Sequence, residues 1–550
     1  MSSEFPVPAA ASPLPAYAEL HCRSNFSFQI GASHAEELVE RAHALGYSAL
    51  AVTDECSVAG LVRAHGEARK RGLKLIAGAE FVLEDGAPPD AAADTGPDGA
   101  AVPAARWRVV ALARDRRGWG QLCSFITACR RAAPKGHYRV GWEDLTAARL
   151  AGCEILLAPD RLTRSAITIE ALQNCLMLGK GQFGAHFWLA AELLHGLDDD
   201  LWLAQLSDAS AATGVPLVAA GNVHMHVRSR KPLQDVITAV RLGKSVSECG
   251  FELQANAEAH LRSRERLAAI YPPELLANTL TVAARCTFNL DELRYQYPVE
   301  TVLPGMNPVQ TLRHFTDEGA LGRYPDGMPG EVRQQVEHEL ALIAELKYEM
   351  YFLTVHDIVR FARSIHILCQ GRGSAANSAV CYCLGITEVN PAESKLLFAR
   401  FISASATSRP TLMWTLNTTG AKKSSSTSMR NMGVIARPLL PPWSPTAPQR
   451  HARCGQGAGV DDALIDRLAK EHFWFDGEDA MAEHLVRAGL DPDDAQVHQW
   501  LALTKQLLGF PRHLSQHVGG FVLTQGKLTR LVPVENAAMD RQVNHPVGQG

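Results

Sequence analysis

The sequence is poor in several features, and each gap excludes a class of protein. No apolar run in its 550 residues approaches the ~18 needed to cross a bilayer. Residues 1–17 are rich in Pro and Ala but lack the basic start and apolar core of a signal peptide, so a cytoplasmic chain with no membrane partner is expected. None of the 12 cysteines forms a Cys-x-x-Cys pair, the nearest two being Cys381 and Cys383. That predicts buried thiols in a reducing compartment rather than disulfides or a zinc knuckle. A net charge of -4 leaves no overall footprint for nucleic acid, so any DNA contact must use local basic patches. Acids are absent altogether from 404 to 458, although Asp and Glu make up 58 of the 550 residues. The chain as a whole is 46% hydrophobic and 20% charged, an ordinary globular composition, and the length suggests three or four domains.

From residue 17 to about residue 227 one unit recurs: a short apolar run, then a longer helical stretch. The runs are 18–21, 49–53, 73–80, 107–113, 154–158, 186–192 and 216–220. Seven such runs predict an α/β fold of parallel strands with crossovers, either an open sheet or a barrel. One helix is well marked. Ser33-His-Ala-Glu36 forms a capping box, Leu38, Ala42 and Leu45 make an apolar stripe, and Gly46 stands where a glycine ends a helix. The Ala/Pro/Gly/Asp-rich stretch 84–105 reads as a surface loop.

Polar residues stand at the ends of the runs, where parallel folds place their sites: His21, Asp54 with Glu55, Glu80, and Asn222-Val-His224-Met-His226. Converging His and carboxylates could bind a divalent metal and hydrolyse a phosphoester; singly, each is an ordinary loop residue. Glu19-Leu-His-Cys-Arg-Ser-Asn-Phe-Ser-Phe28, Ala51-Val-Thr-Asp-Glu55, Gly78-Ala-Glu-Phe81 and Asn222-Val-His-Met-His226 together resemble the polymerase-and-histidinol-phosphatase (PHP) domain, which opens bacterial DNA polymerase III alpha-type chains. In metal-binding members these motifs read His-x-His, Thr-Asp-His and Asp-x-His. Here the corresponding positions are Arg23, Glu55 and Asn222, while His21, Glu80 and His224 remain as candidate metal ligands for Zn or Mn. So depleted a ligand set implies a structural domain rather than a working phosphoesterase.

In the second half, 334–363 is helical in pattern, with Val336, Leu340, Ile343 and Leu346 on one side. A strand-like 365–369 leads through Gln370-Gly-Arg-Gly-Ser-Ala-Ala-Asn-Ser378 into an apolar helix at 379–384. A strand, a glycine turn and a helix N-terminus offer free N–H groups to a phosphate, although the turn is neither a P-loop nor a dinucleotide-binding fingerprint. By itself it is equally well a tight turn. The run from Cys369 to Glu388 resembles the Gly-Ser motif of the polymerase palm in the same family, in its error-prone, translesion branch. Gly373 and Ser374 carry the match, which implies binding of the incoming triphosphate with Arg372 as phosphate partner. Arg512-His-Leu-Ser-Gln-His-Val-Gly-Gly520 is similar to the palm segment that follows the thumb.

The acid-free segment breaks this resemblance. Family members continue into Pro-Asp-x-Asp-x-Asp-Phe, whose aspartates hold the two Mg²⁺ ions of nucleotidyl transfer. This chain reads Ala-Ser-Ala-Thr-Ser-Arg-Pro-Thr-Leu-Met-Trp-Thr-Leu-Asn417, and 404–458 holds seven Ser, seven Thr and six Pro. Met413 and Trp414 each have a single codon, and Thr415 begins AC. Reading from the third base of the Met413 codon therefore forces Val-Asp. Permitted codons in that frame spell Glu-Arg-Asp-Glu-Pro-Pro-Asp-Ile-Asp-Val-Asp-Phe-Glu-His, the missing motif. Near Pro448 the fit moves by one base, and at Gly459 the written frame fits again. After Val543, Asn-His-Pro-Val-Gly-Gln549 re-reads as Ile-Ile-Gln-Trp-Asp-Lys, which predicts an out-of-frame stop. The competing reading is a genuine Ser/Thr/Pro linker with its own role.

The expected organisation is a flexible 1–16, a PHP-type (β/α) barrel at 17–285, the first part of a nucleotidyltransferase-like palm at 286–403, and an aberrant, disordered 404–458. A helical thumb remnant at 459–505, a palm return at 506–543 and an out-of-frame tail at 544–550 complete it. The resemblance implies a DNA-directed DNA polymerase for damage-induced translesion synthesis, using Mg²⁺, primer-template DNA and dNTPs, with a sliding clamp and other translesion proteins as partners. Without its aspartates this chain is expected to be inactive, with no catalytic residue intact. The alternatives are a PHP-type metal phosphoesterase and a non-catalytic DNA-binding remnant.

Overall fold

The computed structural model describes residues 14–84, 106–160, 167–293, 301–367, 369–372, 378–393, 413–416, 433–436, 491, 494–511 and 521–536. They belong to two compact units. Met1–Leu293, Pro438–Gln516 and Thr529–Arg541 form the first; Arg294–Arg437, His517–Leu528 and Gln542–Gly550 form the second.

All seven apolar runs of the first unit are strands: β1 (Ala18–Glu19), β2 (Ala49–Val52), β3 (Lys74–Val82), β4 (Trp107–Ala113), β5 (Cys153–Pro159), β6 (Phe187–Ala191) and β7 (Leu217–Ala219). They pair in sequence order in one sheet. Beyond β1 and β7 the chain closes the sheet on itself, because Arg23 N donates to Val223 O (2.9 Å) and Val223 N to His21 O (2.9 Å). The runs lack alternation because both faces are buried. Ala18, Leu20, Ala51, Val110, Leu156 and Val218 fill the inside, while Leu50, Val52, Val109, Ile155 and Leu189 pack outward against helices.

The expectation of an all-parallel sheet needs correction. β4 is antiparallel to both β3 and β5 (Val82 opposite Arg108, Ala113 opposite Cys153), whereas the other pairs are parallel. A parallel return requires a crossover, and the 84–105 sequence between β3 and β4 has no helical period to supply one.

The helices of this unit are α1 (Ala35–Ala44), α2 (Leu61–Arg71), α3 (Arg116–Arg131), α4 (Ala147–Leu150), α5 (Ile169–Phe183), α6 (Asp199–Thr213), α7 (Lys231–Leu242), α8 (Arg264–Ile270) and α9 (Pro273–Arg285). α1 starts one residue later than its sequence suggests: His34 is the N-cap, and its N–H donates to Glu37 Oε2 (2.9 Å). Ser33 is diverted, since its buried hydroxyl accepts from His226 N (2.9 Å). Gly46 does take the expected left-handed conformation, at φ +69. Farther along the chain, 529–536 lies along α3. Trp119 Nε1 donates to Leu531 O (3.0 Å), Val534 N to Thr127 Oγ1 (2.9 Å), and Asn536 Nδ2 to Ala133 O (2.7 Å).

In the second unit the long helical pattern is two helices, α11 (Gly330–Leu346) and α12 (Glu349–Ser364), following α10 (Pro308–Arg323). Lys347, at φ +57, ends α11. The strand expected at 365–369 begins only at its last residue: Ile367 N still bonds to Ala362 O (2.8 Å) in the turn that closes α12, and β8 is Cys369–Arg372. α13 (Ala379–Cys383) follows and packs so closely on α10 that a Cβ on Gly319 would lie 2.0 Å from Cys383 O. Within 404–458 the structure describes two short strands, β9 (Met413–Leu416) and β10 (Gly433–Ala436). β9 is antiparallel to β8, with Met413 opposite Arg372. β10 is antiparallel to β11 (Phe521–Thr524). The rest of that segment, for which disorder was expected, lies outside the described residues.

Candidate metal centre and nucleotide turn

Two of the three predicted metal ligands meet at the strand ends of the barrel. His21 ends the β1 run and Glu80 stands in β3; His21 Nε2 contacts Glu80 Oε2 directly, and both side chains are fully buried. His21 Nδ1 lies 2.6 Å from Glu192 Oε1, just past β6. Two arginines complete the cluster. Arg23 Nη2 is 2.8 Å from Glu80 Oε2 and donates to Asn222 Oδ1 (2.9 Å), and Arg108 of β4 donates to Glu192 Oε2 (2.6 Å).

His224, the third candidate, is kept apart from the carboxylates. Its Nδ1 accepts from Gln254 Nε2 (2.9 Å) and its Nε2 faces Asn222 Oδ1 (3.1 Å), which fixes a neutral ring. Asp54 faces the other way and accepts from Ser24 N (2.8 Å) and Ser27 Oγ (2.8 Å). Glu55 accepts from the Tyr138 hydroxyl (2.8 Å).

The electrostatics follow from burial and these partners. Burial alone would raise the Glu80 carboxyl, but Arg23, His21 and Arg108 outweigh it and hold it well below the usual range. Glu192 is likewise lowered against burial, by Arg108 and His21. Burial pushes His21 down, yet Glu192 and Glu80 leave it above its ordinary value. Burial and then Arg23 drive His224 well below its own.

This donor set does not fit a divalent metal. The Arg23 guanidinium lies against Glu80 Oε2 and Asn222 Oδ1, which sets a fixed positive charge on oxygens that a cation would need. Among the described residues no group of three or more His, Cys, Asp or Glu could hold a metal ion. Glu192 and Arg108 belong to no motif in the sequence, though each leaves a signal there. Glu192 is a carboxylate ending an apolar run, and Arg108 is a charge inside one.

The nucleotide turn is only partly described: Gly373 and Ser374 lie outside the described residues, and Arg372 ends β8. The helix after it is not open to a phosphate. Glu339 of α11, fully buried, accepts from Ala379 N (2.9 Å) and Val380 N (3.0 Å), and from Ser378 Oγ (2.8 Å). Cys381 N donates to Ser378 Oγ (3.0 Å). The N–H groups of Ala379, Val380 and Cys381, expected to be free, are therefore taken. Burial raises the Glu339 carboxyl against the pull of these donors.

Comparison with known proteins finds two domain families along the chain. The PHP domain family matches residues 19–172. The bacterial DNA polymerase III alpha NTPase domain family matches residues 310–420 and 445–547. The error-prone DNA polymerase of Bordetella parapertussis is 48% identical over 547 residues, covering 96% of this chain. The chain belongs to the bacterial DNA polymerase III alpha family. Error-prone DNA polymerases of Dechloromonas aromatica and Methylococcus capsulatus are each 47% identical, over 536 and 527 residues. The chain spans about half the length of these family members, 49%, 49% and 47% respectively. The family is one of DNA-directed DNA polymerases, which are nucleotidyltransferases. Among the described residues no helix is long and apolar enough to cross a membrane.

Proposed function

We propose that the chain is built as an error-prone DNA polymerase, adding deoxynucleotides to a primer 3′ end across damaged template, but that with the sequence it carries it does not catalyse this transfer. Its substrates would be primer-template DNA and dNTPs, and a sliding clamp and other translesion proteins would be its partners. The observation that carries the reading is the pairing of β8 with β9. The strand that leads into the Gly373-Ser374 turn lies beside Met413–Leu416, with Met413 opposite Arg372 and Thr415 opposite Gln370. A palm needs its metal-binding aspartates on such a neighbour, and the shifted reading frame spells Val-Asp at Met413 to Thr415.

In the written frame that strand is Met-Trp-Thr-Leu, and no carboxylate occurs between 404 and 458. The Mg²⁺ pair of the family reaction clamps the attacking and leaving oxygens and needs hard carboxylate ligands. These residues do not fit it. The PHP barrel, its cluster closed by Arg23 and Arg108, has a structural role rather than a phosphoesterase one. Primer extension by the purified chain, with Mg²⁺, dNTPs and undamaged template, is expected to give no incorporation above a mock preparation. Clear extension would overturn the proposed inactivity.

A further inference from the structure

Part of the region matched by the polymerase family packs on the PHP barrel within the first unit. α14 (Ala495–Gln506) and the turn after it bury Trp500, Leu503 and Phe510 against Met225, Leu233 and Ile237. At the edge of this apolar contact stands His34, the N-cap of α1. Its Nε2 donates to Leu508 O (2.9 Å), and its ring meets Phe510 edge-on at 4.9 Å between centroids. Gly509, at φ +79, passes so close that a Cβ there would lie 3.1 Å from His34 Cε1.

The other ring nitrogen sets the protonation state. His34 Nδ1 lies 2.9 Å from Asn25 Nδ2, and an amide NH₂ only donates, so Nδ1 presents a lone pair. The Leu508 carbonyl only accepts, so Nε2 carries the hydrogen. These two contacts define one neutral tautomer. A second proton would set two donors against each other at Asn25. Rotating the Asn25 amide to accept instead would move its NH₂ to the buried position where Oδ1 now has no partner among the described residues.

We propose that neutral His34 is an acid-sensitive latch holding the segment 495–510 on the barrel, and that its protonation releases that segment. The groups facing it pull in both directions. Burial disfavours the charged ring most; Glu37 and Glu36 of α1 and then the Leu508 carbonyl favour it, and Arg230 before α7 disfavours it, with burial prevailing. His226 lies 3.8 Å from the same Glu37, and His498 and Lys505 of α14 are exposed. A histidine whose folded value is lowered contributes stability that is complete above its ordinary value of 6.5 and is lost as pH falls below it.

Hydrogen exchange of 495–510, corrected for the intrinsic pH dependence of exchange, tests the latch in the full chain. Between pH 7.5 and 5.5, wild-type protection is expected to fall by about ten-fold. His34→Gln, which keeps a donor for Leu508 O but does not titrate, is expected to show no such fall. Asn25→Asp, which offers an acceptor to the protonated ring, is expected to retain protection at pH 5.5. The same loss in wild type and His34→Gln, or no loss in wild type, would overturn the proposal. So would a loss in Asn25→Asp as large as that of wild type.

Discussion

Arg23→Met is expected to lower the stability of the first unit by about 3–5 kcal/mol, the usual cost of removing one partner of a buried ion pair. Arg23 is 6% exposed and Glu80 0%, so little water can replace the lost guanidinium. Glu80 would keep only its contact with His21 and the distant Arg108 Nη1, 4.0 Å away. Denaturant unfolding of the two proteins measures the difference, and a loss under about 1 kcal/mol would contradict it.

The pH dependence of the cluster has a defined sign. Glu80 and Glu192 are lowered from the ordinary 4.5, so their stabilisation is full above that value and is lost as pH falls through and below it. His21 is raised from 6.5, so its contribution is full below 6.5 and is lost as pH rises through its folded value. The gap between wild type and Arg23→Met should therefore narrow as pH drops from 6 to 3, because wild type loses the stabilisation of its ionised Glu80 while Glu80 without the arginine takes up a proton in the folded state.

Glu339→Ala is expected to cost the second unit about 3 kcal/mol, because it strands buried donors that a neutral side chain cannot meet. Glu339 accepts from two backbone N–H groups of α13, from Ser378 and from Gln335 Nε2 (2.9 Å), so both of its oxygens are used. Glu339→Gln keeps the volume but turns an NH₂ toward those donors, and should recover less than half of the loss. With two units a single transition cannot be assumed, so calorimetry that resolves the second unit's transition is the measurement. Both variants lying within about 0.5 kcal/mol of wild type would contradict the role assigned to Glu339.

Burial explains what the sequence made legible. The seven apolar runs were readable because each strand is covered on both faces, so an unbroken run is itself the signal. The reversed direction of β4 was not, since strand polarity depends on how the chain returns and apolar composition does not record it. His21 and Glu80 were found as strand-end polars, but neither residue announces that Arg23 and Arg108 close the cluster. That depends on register, which brings Arg108 opposite Val82, two residues from Glu80. Glu339 escaped notice for a similar reason: a carboxylate in an amphipathic helix normally faces water, and only packing shows that it caps α13. The cap at Ser33 was misplaced by one residue because Ser33 is claimed by His226, a contact across 193 positions of sequence.

The most direct test of the proposal that an aspartate motif lies in a shifted frame is the nucleotide sequence of the coding region across codons 404–458. The predicted result is that a shifted frame spells Pro-Pro-Asp-Ile-Asp-Val-Asp-Phe through the codons for Ser408 to Leu416, with Met413, Trp414 and Thr415 supplying Val-Asp. Synonymous codons that spell no aspartate motif in either shifted frame, or that introduce stops there, would contradict it and leave a true Ser/Thr/Pro insertion.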